Sequence, residues 1–230
     1  MNSEEFAGAT IVFDLDGTLV DSAPDLARAL NETLDLEGLP PMSVPTVRRL
    51  VGQGARALIE RAASRAGAHF SAEKLDQLTE AYVDNYRRDI ASGSSIYPDA
   101  PDALAELAGS GALLSVCTNK RTDLAVRLLE ALDLAGMFAA IVGADAAPNR
   151  KPHADHYRAA VERAGGVVRR SMMVGDTATD VAAAKAAGAP VALVRFGYAE
   201  DEVERLGADA LVDRYSDLVS TCRRLLPARS

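Results

Sequence analysis

Short, continuously apolar runs alternate with amphipathic segments along most of this chain. The runs 10–13, 113–118, 140–143, 171–175, 191–195 and 210–212 are strand-sized and lack the apolar–polar alternation of a half-exposed sheet. Between them, 101–108, 123–132, 155–164 and 180–187 repeat apolar residues at helical spacing. Thr122 or Asp123 offers an N-cap, and Gly165, Gly166 and Gly188 offer stops. Strands that alternate with helices predict βαβ units and a parallel sheet buried on both faces, an α/β fold.

Residues 20 to 95 break this rhythm. Leu26, Leu30 and Leu34 form one stripe, and Val47, Leu50, Val51, Leu58, Ile59 and Ala62 a second, interrupted by Gly52 and Gly54. Leu75, Leu78, Tyr82, Tyr86 and Ile90 form a third. Three or four amphipathic helices of this kind predict a small bundle inserted after the first strand. The expected organisation is an α/β core from 1–20 and 96–230, with a helical domain at 21–95. The Ser- and Gly-rich stretch 91–95 reads as the return hinge.

The chain has 230 residues, 48% of them apolar, which suffices for a substantial core. The net charge of −8 argues against a nucleic-acid groove, so an anionic ligand would need a local cationic device. Cys117 and Cys222 make no disulfide framework or metal-spaced cluster, and Cys117 reads as a buried small hydrophobe. Met1 to Gly8 has no apolar secretory core, and no run approaches a membrane span. A cytoplasmic protein, as monomer or homodimer, without membrane or nucleic-acid partner, is expected.

Four polar constellations stand where the strands are expected to end, the place where open parallel sheets bind ligands. In Asp14-Leu15-Asp16-Gly17-Thr18, two carboxylates share one side of an extended chain before a turn that glycine allows. This suits a divalent cation and attack on phosphorus. Thr118-Asn119 can hold phosphate oxygens through hydroxyl, amide and backbone donors. Lys151, before Pro152, can neutralise a phosphoryl oxygen and a carboxylate together. Pro152 suits the first turn of the following helix. Gly175-Asp176-Thr177-Ala178-Thr179-Asp180 adds carboxylates that suit octahedral Mg²⁺. Taken singly, each has a plain reading as a turn, a cap or a solvated lysine. Together they converge on one end of one sheet, which no plain reading explains.

In these motifs the chain resembles the haloacid dehalogenase superfamily, in the branch with a helical cap after the first motif. The resemblance implies a Rossmann-like core and an Mg²⁺-dependent phosphatase. It implies Asp14 as nucleophile, forming an aspartyl-phosphate, and Asp16 as general acid and then base. The metal would be held by Asp14, the Asp16 backbone carbonyl and Asp176. Asp180 would support the metal waters or Lys151, while Thr118, Asn119 and Lys151 bind the phosphoryl group. Asp16 favours phosphate esters over halides, since a halide needs no proton. The segments Val51-Gly52-Gln53-Gly54, Thr118-Asn119-Lys120, Leu128-Leu129-Glu130, Pro148-Asn149-Arg150-Lys151-Pro152-His153 and Phe196-Gly197-Tyr198 resemble the phosphoglycolate phosphatase branch. Arg121 departs from it, standing where proline is expected. This implies a small phosphorylated metabolite, 2-phosphoglycolate, as substrate. The backbone at Gly52 and Gly54 would approach it, and Arg56 or Arg49 would meet its carboxylate. His153 and His156 read as helix-start and surface residues. Other small-metabolite phosphatases, a pyrophosphatase, a sugar-phosphate mutase and a phosphorylation-dependent binding module remain alternatives.

Overall fold

The computed structural model describes residues 4–199 and 202–226; the other positions, which fall within the expected core ranges, lie outside the described residues. Six parallel strands form the central sheet: β1 (Thr10–Phe13), β4 (Leu113–Cys117), β5 (Ala140–Val142), β6 (Ser171–Gly175), β7 (Val191–Val194) and β8 (Ala210–Val212). Their spatial order is β5-β4-β1-β6-β7-β8, so β1 lies between β4 and β6, with Phe13 opposite Val116 and Val174.

The continuous apolar strands have a direct structural cause. Ile11 and Phe13 pack toward α5 (Ala100–Gly109), α6 (Thr122–Ala131) and α9 (Leu218–Leu225). Val12 points the other way, toward α7 (Ala154–Arg163) and α8 (Ala178–Ala187). Both faces are therefore core, and alternate residues of one strand serve different layers.

The insert holds α1 (Ala23–Asp35), α2 (Val44–Arg48), α3 (Ala55–Arg65) and α4 (Ala72–Arg88). The three stripes meet there in a cluster of their own that includes Leu30, Val47, Ile59 and Tyr86. Two short strands, β2 (Val20–Asp21) and β3 (Ser95–Ile96), pair antiparallel at its neck. The Ser- and Gly-rich return is clasped by buried Asp25 of α1. That carboxylate accepts from Ser92 Oγ (3.1 Å), the Gly93 N–H (3.1 Å) and Ser94 Oγ (2.6 Å). Among the described residues no helix is long and apolar enough to cross a membrane.

Several local expectations are corrected. Arg121, not Thr122 or Asp123, occupies the N-cap of α6, because Thr122 donates its N–H and hydroxyl to Asp145 Oδ1 (2.8 Å each). Pro152 is not in the first turn of α7, which starts at Ala154 with His153 as its cap; the Lys151–Pro152 peptide is cis. Helix α9 has no counterpart among the expected elements.

Candidate active site

Asp14 follows the tip of β1 and continues its ladder, its N–H donating to Val174 O at 2.9 Å. The chain turns at Gly17, whose φ of +83° is open to glycine. A Cβ there would strike the Asp176 carboxylate and the Tyr198 ring, so the first motif needs glycine for space as well as conformation. Thr18 supports Asp176 through its hydroxyl, 2.9 Å from Oδ1, and the Tyr198 N–H holds Oδ2 at 2.7 Å.

Asp14, Asp176 and Asp180 are buried, each with a carboxylate oxygen within 4.8 Å of the others. Lys151, also buried, reaches Asp14 Oδ1 at 3.0 Å and Asp180 Oδ1 at 2.7 Å. Burial alone would push its ammonium down, but Asp14 and Asp180 outweigh this and raise it. Asp180 Oδ2 is spent on the backbone, accepting from the N–H groups of Asp176 (3.2 Å) and Thr177 (3.0 Å). It completes a capping box on α8, while Asp180 Oδ1 meets Lys151.

One ammonium against three buried carboxylates leaves the group under-compensated. Burial raises the Asp14 carboxyl to about 6. Burial, then Asp180 and Asp14, raises Asp176 as well. A hard divalent cation fits this all-oxygen donor set and its unmet charge.

Thr118 follows β4, its N–H bonded to Val142 O (3.0 Å). Thr118 and Asn119 line a cavity with Asp14, Asp16, Gly52 and Gly54. The Asn119 side chain donates to Gly52 O (2.9 Å) and Lys151 O (3.1 Å), so it ties the insert to the core. The remaining walls, Leu26, Val51, Leu58, Tyr82 and Tyr86, are largely apolar. About 70 Å³ is open to the centre of a water-sized sphere, room for a small ligand.

Arg56 is not brought to this cavity. Its guanidinium pairs with Asp76 (2.9 Å) on the exposed side of the insert, because α3 turns its glycine-rich start inward and that side chain outward. Arg49 is not part of the lining either; its carbonyl accepts from Arg61.

Two residues carry more than the sequence indicates. Lys120 donates to both Asp16 oxygens at 2.7 Å, while Ser22 Oγ holds Asp16 Oδ1 at 2.5 Å. A lysine beside two candidate phosphate-binding residues was the available signal. His156 is buried rather than a surface residue. Its Nδ1 accepts the Lys151 N–H (3.0 Å) and its Nε2 donates toward Gly143 O (3.0 Å) and Val142 O (3.2 Å). Burial, then the Lys151 charge, lowers it to about 4. It is a neutral brace for the lysine loop, and His153 caps α7 as expected.

Residues 11–194 match the family described as haloacid dehalogenase-like hydrolase. The chain is 48% identical over 219 residues to a phosphoglycolate phosphatase of Caulobacter vibrioides, covering 95% of this chain and 92% of that one. Among solved structures it is similar to a predicted phosphoglycolate phosphatase of Haemophilus somnus, with a TM-score of 0.87, 28% identity, and coverage of 95% and 99%. CbbY of Rhodobacter sphaeroides, solved in complex with phosphate, has a TM-score of 0.78 and 26% identity, with coverage of 91% and 96%.

Proposed function

We propose that this chain, which belongs to the haloacid dehalogenase-like hydrolase family, hydrolyses 2-phosphoglycolate to glycolate and inorganic phosphate. Phosphoric monoester hydrolysis is the activity of the relatives it resembles over nearly its whole length. The observation that carries the reading is the buried Asp14 carboxylate, held by Lys151 and lining a small cavity with Asp16 and Thr118.

Asp14 attacks phosphorus, and the bond to the ester oxygen breaks. Asp16 gives that oxygen a proton as glycolate leaves. Asp16 then takes a proton from water, which attacks the phosphorus of the acyl phosphate and returns Asp14 as carboxylate. Two moderate displacements replace one difficult one. Lys151 holds Asp14 in place and neutralises developing charge, while Thr118 and the Asn119 backbone donate to the equatorial oxygens. Asp14, the Asp16 carbonyl and Asp176 would hold Mg²⁺, which supplies positive charge to the phosphoryl oxygens when bound. Asp180 fixes Lys151 from behind. Residues 21–95 act as a cap that excludes water from the intermediate, with Gly52 and Gly54 at its contact with the core.

The test is kcat/KM for phosphate release from a panel of small esters with Mg²⁺. A preference for 2-phosphoglycolate over sugar phosphates, lost in Asp14→Asn, is expected. Equal weak turnover of all esters contradicts the substrate, and turnover by Asp14→Asn contradicts the mechanism.

A further inference from the structure

We propose that Lys120 recognises the carboxylate of the substrate, and that Asp16 occupies its place until substrate arrives. The inference rests on the 2-phosphoglycolate reading and deepens it.

A cavity that selects a second anionic group needs a cation in its wall, because a buried carboxylate without one is costly. The arginines of the insert do not supply it. Arg56 is committed to Asp76 outside the cavity. Arg121 lines the cavity, but its guanidinium is engaged by Asp123 (3.3 Å) and Glu80 (3.5 Å) on a half-exposed side chain. Lys151 is committed to Asp14 and Asp180. Lys120 is different. It lines the cavity with only 9% of its surface exposed, and its ammonium already holds a carboxylate by both oxygens. That ammonium stands 4.6 Å from the centre of the Tyr86 ring, an arrangement that fixes a desolvated cation. The Tyr86 hydroxyl, on the same wall, is buried and makes no hydrogen bond among the described residues.

The chemistry of the substrate places its carboxylate there. One methylene separates the ester oxygen of 2-phosphoglycolate from the carboxyl carbon, a span of about 2.5 Å, as across one Cα. Asp16 must meet the ester oxygen, so the substrate carboxylate falls beside Asp16, where the ammonium lies. In the structure both Asp16 oxygens are occupied, by Lys120 and Ser22. When Lys120 passes from Asp16 to the substrate, the pair that holds Asp16 ionised opens. Asp16 keeps the Ser22 contact, takes up a proton from water on its other oxygen, and can turn that oxygen to the ester. Recognition of the correct substrate thus frees the acid that acts on it. An ester without a carboxylate leaves the Lys120–Asp16 pair closed.

Lys120→Met keeps the apolar stem over Tyr86 and removes the charge. It is compared with wild type on 2-phosphoglycolate and on 2-hydroxyethyl phosphate, which replaces the carboxylate by a hydroxymethyl group. Expected is a loss in kcat/KM on the order of 100-fold for 2-phosphoglycolate, carried mainly by KM. For 2-hydroxyethyl phosphate kcat/KM rises instead, because the variant opens the Lys120–Asp16 pair that this ester leaves closed. Lys120→Arg, which retains the charge, keeps the preference, and Lys120→Gln replaces the methionine variant if that fails to fold. Equal losses on both esters, falling on kcat, overturn the proposal and leave Lys120 a positioning residue for Asp16. A wild type that hydrolyses both esters equally overturns the substrate reading and this proposal with it. A wild-type preference that survives in Lys120→Met overturns this proposal alone.

Discussion

The Lys151 ammonium stands 3.0 Å from Asp14 Oδ1, and it is the cation that makes that buried carboxylate tolerable beside Asp176 and Asp180. Lys151→Met removes it without opening a large cavity. The variant should lose on the order of 100-fold or more in kcat. It should also lose about 3–5 kcal/mol of stability near pH 8, the cost of breaking a buried pair. Burial raises the Asp14 carboxyl and Lys151 holds it down, so in the variant that carboxyl takes up its proton at a higher pH than in wild type. The stability loss then shrinks on acidification as it becomes neutral. Steady-state kinetics and urea unfolding at two pH values check both.

Asp14→Asn should abolish turnover and yet stabilise the metal-free protein. Burial raises the Asp14 carboxyl from 3.8 to about 6, so the folded state holds this proton more tightly than the unfolded one. Stability from this group is therefore full below pH 3.8 and is lost as pH rises through 6. The amide avoids that loss. In chelator at pH 8 the variant should exceed wild type by up to about 3 kcal/mol, with the gap closing near pH 4. A variant less stable than wild type at pH 8 contradicts the charge balance described for the site.

Mg²⁺ should close most of that gap. At about 100 times its Kd, a ligand that binds only the folded state adds about 2.7 kcal/mol. Thermal unfolding of wild type should shift upward with Mg²⁺. Asp176→Asn should respond far less, and Lys120→Met, outside the carboxylate group, should respond as wild type does.

His156 sets a limit on the acid side. Burial and Lys151 lower its imidazole from 6.5 to about 4. The unfolded chain therefore takes up a proton across this window that the folded protein refuses, and stability from His156 is lost as pH falls from 6.5 to 4. His156→Gln should be less stable than wild type at pH 7.5, through the lost bonds to Lys151 and Gly143. The difference should narrow by up to about 3 kcal/mol on acidification. A gap that is constant with pH would show the imidazole titrating normally.

Much of this was legible in the chain because the sheet is buried on both faces. A strand such as 10–13, which feeds two cores, has to be apolar throughout, and its polar successor at Asp14 marks its end. The four motifs follow the same logic, and the structure brings Asp14, Lys151, Asp176 and Asp180 together at one end of that sheet. What escaped was decided by contacts distant in sequence. Lys120 meets Asp16 across 104 positions, and no local pattern marks a lysine as buried. His156 looked like a surface residue of an amphipathic helix, yet it turns inward because the Lys151 N–H and the Gly143 carbonyl need partners. Arg56 failed for the opposite reason: Asp76, twenty positions away, captures it on the outer side of the insert. Helix α9 has only eight residues, shorter than the roughly 10–12 over which a helical repeat is told from a short apolar run.

The most direct test of the central claim is a rapid acid quench of the Mg²⁺-loaded protein during turnover of 2-phosphoglycolate, followed by peptide mass analysis. The account predicts a phosphoryl group on the peptide that contains Asp14. It should form more slowly in Asp16→Ala, where the leaving oxygen lacks its acid, persist longer there because water lacks its base, and be absent in Asp14→Asn. Phosphate release by wild type with no phosphorylated Asp14 in either active protein would contradict it.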